Sequence, residues 1–158
     1  MGARLLGPLR VVGHRGFTLI EIGIITAVIG VMATITLLLY NDYTYKAQVA
    51  RAQADIAIIE MEIATFEGLN LRLPNDLGEI GRATFLDPWG NPYQYLNFAV
   101  SGQQHCRKDH ALHPLNADYD LYRMGRDGRS QEPITSHDSQ DDVIRANDGQ
   151  FVGLAANY

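Results

Sequence analysis

The sequence is short of several things. It has one cysteine, Cys106, among 158 residues, so no intrachain disulfide can form. It has no proline between Phe17 and Phe66, so nothing in that stretch forces a helix to break. Its first sixteen positions hold Arg4, Arg10 and Arg15 but no acid. Basic residues are then scarce. Beyond those arginines, ten stand against 18 acids, a net charge of −8 where the whole chain carries −5. An acidic body lacks the phosphate-neutralising patch that a nucleic-acid partner requires.

The length suits one compact domain plus one further element. Composition is 46% hydrophobic and 20% charged, and the apolar residues concentrate between Phe17 and Tyr40. As a helix those residues span roughly 36 Å, enough to cross a hydrocarbon core of about 30 Å. The run exceeds a secretory signal's apolar region, and no small-x-small cleavage site follows it. Arginines precede it and acids follow (Asp42, Asp55), which predicts a cytoplasmic N-terminus and a body across the membrane. One acid, Glu21, lies inside the run, about a turn from its start. The residues alone leave two readings of it: a carboxylate that snorkels to the headgroups at little cost, or a functional group.

The stretch Gly16-Phe17-Thr18-Leu19-Ile20-Glu21, with a basic leader before it and an apolar run after it, resembles the processing site of type IV pilins and type II secretion pseudopilins. The resemblance implies cleavage by a prepilin peptidase between Gly16 and Phe17 and N-methylation of Phe17. It also implies that Glu21 neutralises the Phe17 amine of a neighbouring subunit. Gly23, Ala27 and Gly30 supply small residues at helical spacing, which let helix backbones approach closely. Leu38 stands where the family usually has a proline.

Beyond the apolar run, Ala52, Ile56, Ile59, Ile63 and Phe66 recur at alternating steps of four and three. That spacing predicts an amphipathic helix over 41–67 with one face toward a core, stopped at Gly68. Pro74, Gly78 and Gly81 mark a loop. Asp87-Pro88-Trp89-Gly90-Asn91-Pro92-Tyr93 then reads as a tight turn, with Trp89 packing it to the core and a strand following through Phe98. The same stretch resembles a segment of the major pseudopilin. Further strands are predicted at 119–124 and 151–154. A long helix on a small antiparallel sheet is an α+β arrangement, and pilin-like in its order.

Residues 127–148 gather Asp127, Glu132, Asp138, Asp141, Asp142 and Asp148. Composition alone describes a solvated acidic loop; the oxygen donors also suit Ca²⁺, although no EF-hand spacing occurs. The resemblance implies a calcium site with Asp127, Asp141 and Asp142 as side-chain ligands and Met124 and Arg129 as carbonyl ligands. Thirteen residues separate Asp127 from Asp141, more than the family usually has. His105, Cys106, His110 and His113 match no zinc-ligand spacing, and Arg107 and Lys108 oppose a cation among them, so 99–117 reads as a polar surface loop.

The resemblance therefore implies a structural subunit of the type II secretion pseudopilus and no enzyme. Residues 1–16 would be a removed leader, 17–40 a transmembrane and polymerisation helix, and 41–158 a periplasmic domain. Its partners would be other pseudopilin subunits, the prepilin peptidase and the inner-membrane secretion platform. The alternatives are a subunit of a type IV pilus and a monomeric anchored binding domain.

Overall fold

A computed structural model describes residues 16–158, apart from the side chain of Leu38. The leader arginines Arg4, Arg10 and Arg15 lie outside the described residues. The chain divides into two units, 1–42 and 43–158.

Helix α1 runs from Leu19 to Asn70 and crosses that division. In the first unit its described side chains are all exposed, including Ile20, Ile24, Ile29 and Met32. The threonines here do not stay bare: Thr26, Thr34 and Thr36 each donate to a carbonyl about one turn back. It is the one helix among the described residues that is long and apolar enough to cross a membrane.

In the second unit α1 shows the face that its spacing predicts. Ala52, Ile56, Ile59 and Ile63 are buried, and Phe66 is half-buried. Each fully buried isoleucine contributes roughly 1.5–3 kcal/mol of apolar transfer. The neighbouring stripe of Ala50, Ala54, Ala57, Met61 and Ala64 stays exposed. The helix does not stop at Gly68. It continues to Asn70, and Leu71 closes it in a left-handed conformation (φ 56°), donating its N–H to the Glu67 carbonyl at 2.8 Å.

The sheet has four strands in chain order: β1 (Gln94–Asn97), β2 (Tyr119–Arg123), β3 (Val143–Ala146) and β4 (Phe151–Leu154). Each is antiparallel to its neighbour. β1 ends earlier than expected, because Phe98–Ser101 turns into a short helix, α2, capped by the Asn97 side chain. The third strand that the sequence predicts is the fourth observed, β4, and the residue pattern does not predict β3. It is buried at every position, so it lacks the alternation of polar and apolar residues that marks a half-buried strand.

Alternate strand residues serve two packed layers. Tyr119, Leu121 and Val143 join the α1 residues, Leu77 and Tyr93 in the main core. Ile144 and Ala146 join Leu115, Ile134 and Ala155 in a second cluster. That second layer is built from loops. The backbone of Lys108 bonds to Glu132 and Ile134, and the Leu115 N–H bonds to the Arg107 carbonyl. The 99–117 segment is thus not simply a surface loop: Cys106 and Arg107 point inward, while His105, His110 and His113 stay exposed.

Candidate functional site

Two regions carry the residues that the sequence singles out. At the first, Gly16 and Phe17 precede α1 and are exposed, so the bond between them is outside regular structure. Thr18 and Glu21 form a reciprocal cap. The Glu21 N–H donates to Thr18 Oγ1 at 3.2 Å, and the Thr18 N–H reaches Glu21 Oε2 at 3.4 Å. Thr-x-x-Glu before an apolar run is a capping box, which satisfies two amide groups at a helix start. The signal for this cap, Thr18-Leu19-Ile20-Glu21, lies inside the processing motif itself.

The second region is the acidic loop after β2. Asp127 is exposed, and its Oδ1 accepts the Arg129 N–H at 2.9 Å. Half-buried Asp141 accepts the Arg126 N–H at 2.7 Å. Gly125 lies so close beneath Asp141 that a Cβ there would overlap its carboxylate. Asp142 is fully buried. Its Oδ1 accepts the Gly125 N–H at 2.7 Å, and its Oδ2 takes Ser130 Oγ and Arg107 Nη2, both at 2.6 Å. Burial pushes the Asp142 pKa up, to about 6, against the pull of these donors, which leaves the carboxylate mostly ionised at neutral pH.

Two arginines shape this region, and neither was singled out as buried. Arg107 crosses from the 99–117 segment, stacks over Tyr122 at 4.6 Å, and also bonds Ser130 Oγ and the Gln131 carbonyl through Nη1. Its own N–H donates to buried Asp120. Arg123 lies over Trp89 at 3.7 Å, faces Asp87 at 3.3 Å, and donates from Nε to the Met124 carbonyl at 3.0 Å.

Most of the oxygens that the resemblance implies for calcium are engaged in this arrangement. The ion takes six to eight oxygen ligands with lone pairs free to point at it. Here the Met124 carbonyl accepts from Arg123 on one of its two lone pairs, and both oxygens of Asp142 are engaged, by Arg107, Ser130 and Gly125. Among the described residues no three carboxylates, histidines or cysteines are grouped to hold a metal. That set includes Asp127, Asp141 and Asp142 and also His105, Cys106, His110 and His113. His105 instead meets Glu132 at 3.0 Å.

No protein-family model and no solved structure matches the chain. Curated relatives do. It is 43% identical to a fimbrial protein of Pseudomonas aeruginosa over 57 residues, which is 35% of this chain and 37% of that protein. It is 43% identical to a type IV major alpha-pilin of Moraxella bovis over 57 residues, 36% of that protein. It is 27% identical to the type II secretion system core protein G of Pseudomonas aeruginosa over 135 residues, 72% of this chain and 84% of that protein. The chain thus spans little more than a third of the length of the first fimbrial proteins it matches. In its homologues and in its helix-on-sheet fold, the chain is similar to the type IV pilin-like proteins.

Proposed function

We propose that the chain is a filament subunit of the type II secretion pseudopilus, polymerising through its N-terminal helix during export of folded proteins. The observation that carries this reading is the breadth of the match to core protein G. It covers 84% of that protein, whereas the fimbrial matches cover little more than a third of theirs. The alternative, a type IV pilus subunit, draws on the higher identity of the shorter fimbrial matches.

The physical reading begins at the exposed bond between Gly16 and Phe17. Cleavage there by a prepilin peptidase frees an α-amino group with a reference pKa of about 7.7–8.0, and the new terminus is methylated. Packing helices in a filament takes that ammonium out of water, and a buried charge needs a partner. Glu21 of a neighbouring subunit supplies it and sets the axial register. The described apolar side chains of 17–40, all exposed, then have two successive partners, lipid before assembly and other helices after it. The acidic domain from 41 onward lies on the periplasmic side, and the inner-membrane platform drives subunit addition.

The test is the intact mass of the chain recovered from inner membrane, with its peptidase present or deleted. Loss of residues 1–16 with one added methyl group, only when the peptidase is present, is the expected result. A full-length, unmethylated chain in both strains would leave a monomeric anchored domain instead.

A further inference from the structure

The structure assigns to Arg107 and Arg123 the work of a divalent cation: the loop from Met124 to Asp142 is held by two internal guanidinium groups, and the domain folds without calcium. A loop rich in carboxylates needs positive charge where it turns inward, and metal is one source of it. In this chain both charges are covalently attached.

Arg107 meets the deeper end of the loop. Its guanidinium is 3% exposed and Asp142 is fully buried, and the two are 2.6 Å apart. The arginine's planar fork suits this position, since Nη2 meets the carboxylate while Nη1 reaches Ser130 and Gln131. One side chain thereby ties the start of β3 to the middle of the loop. The arginine is itself fixed, because Asp120 of β2 accepts its backbone N–H and its carbonyl accepts from Leu115. Arg123, fully buried, stands beside the loop's first residue. Its Nε donates to the adjacent Met124 carbonyl and faces Asp87, Trp89 covers the guanidinium, and its two terminal nitrogens make no hydrogen bond among the described residues.

A metal entering here would have to displace Arg107 from a carboxylate with no exposed surface. It would also meet the field of a second buried cation, Arg123, on which the Asp141 and Asp142 carboxylates already act. Like charges in a low-dielectric interior repel. The 99–117 segment and the long 127–141 interval belong together. The 99–117 segment supplies Arg107, and the long interval between Asp127 and Asp141 contains Ser130 and Gln131, which Arg107 binds.

The experiment is thermal unfolding of the full chain in detergent micelles, followed by circular dichroism, in chelator and in millimolar calcium chloride. Calorimetric titration with calcium accompanies it. The expected result for the unsubstituted chain is one melting temperature in both conditions and no saturable calcium binding. Arg107→Met should melt on the order of 10 °C lower in chelator, because it leaves Asp142 buried without its partner. Asp127→Asn should melt as the unsubstituted chain does, in chelator and in calcium alike; a loss of melting temperature seen only in calcium would overturn the inference. A saturable rise in the melting temperature of the unsubstituted chain with calcium would overturn the inference, as would an Arg107→Met protein that melts unshifted. Should Arg107→Met fail to fold, the unsubstituted chain and Asp127→Asn still decide the matter. None of these outcomes depends on whether the chain forms a filament.

Discussion

Arg145 grips Asp118 through both of its terminal nitrogens, Nη1 to Oδ1 at 2.8 Å and Nη2 to Oδ2 at 2.9 Å. The arginine stands in β3 and the aspartate just before β2, so the fork fixes the two strands against sliding. Arg145 Nε reaches Glu60 of α1 at 2.8 Å, and the guanidinium lies 4.0 Å over the ring of Tyr119. One side chain thus binds helix to sheet within the second unit.

Asp118→Ala should therefore cost more than a surface substitution. Arg145 is 4% exposed and would keep only Glu60 as a charged partner. Leaving a buried charge partly uncompensated costs about 3 kcal/mol or more. Urea unfolding of the full chain in micelles measures it. A loss below about 0.5 kcal/mol, the range of an ordinary surface change, would mean that Glu60 suffices.

The same pair sets a pH dependence. Burial alone would raise the Asp118 pKa, but the Arg145 guanidinium and the Tyr119 N–H overcome it and hold the carboxyl below its usual value. A carboxyl depressed in the folded state stabilises the fold above the unfolded pKa of about 3.9. That contribution fades as pH falls through the folded value. Burial raises Asp120 and Asp142 instead, and their contributions fade in the opposite direction, as pH rises. Subtracting the denaturation profile of Asp118→Asn from that of the unsubstituted chain isolates the first effect. The difference should be flat near neutrality and shrink below about pH 4. A difference that grows on acidification would reverse the sign.

Glu21 has two candidate roles, and Glu21→Gln separates them. A glutamine still accepts the Thr18 N–H, so the capping box survives. The charge does not. Under the proposed function, Glu21→Gln inserts into the membrane normally and fails to assemble, by electron microscopy of sheared material. Normal filaments from this variant would reduce Glu21 to a helix cap.

What the sequence makes legible follows from how local each signal is. The buried stripe of α1 repeats over several turns, so Ala52, Ile56, Ile59 and Ile63 declare themselves. The turn at 87–91 is equally local: Asp87 Oδ1 accepts the N–H groups of Trp89 and Asn91, and Gly90 takes φ 90°. β3 is not local. Val143-Ile144-Arg145-Ala146 carries a charge at its centre, and it becomes a strand because Arg145 finds acids from two distant segments. Arg107 is harder still. It sits in His-Cys-Arg-Lys-Asp-His, a run of polar character, and only the folded chain shows that Asp142 waits 35 positions away. The acidic loop displays its own oxygen donors in sequence, while the cations that answer them come from outside it.

The order of the sheet has a kinetic consequence. β1 to β4 lie side by side as they occur along the chain, so every strand pairs with a sequence neighbour. Only the β3–β4 link, 147–150, is short; the links over 98–118 and 124–142 are each about twenty residues long, and closing such loops costs entropy before strand pairing returns it. The bond between Glu60 and Arg145 is different, since 85 positions separate them. Docking α1 onto the sheet therefore closes the longest of these loops. Until it occurs, Ile56, Ile59 and Ile63 stay bare, and a chain awaiting that closure exposes the surface that a holding chaperone would recognise.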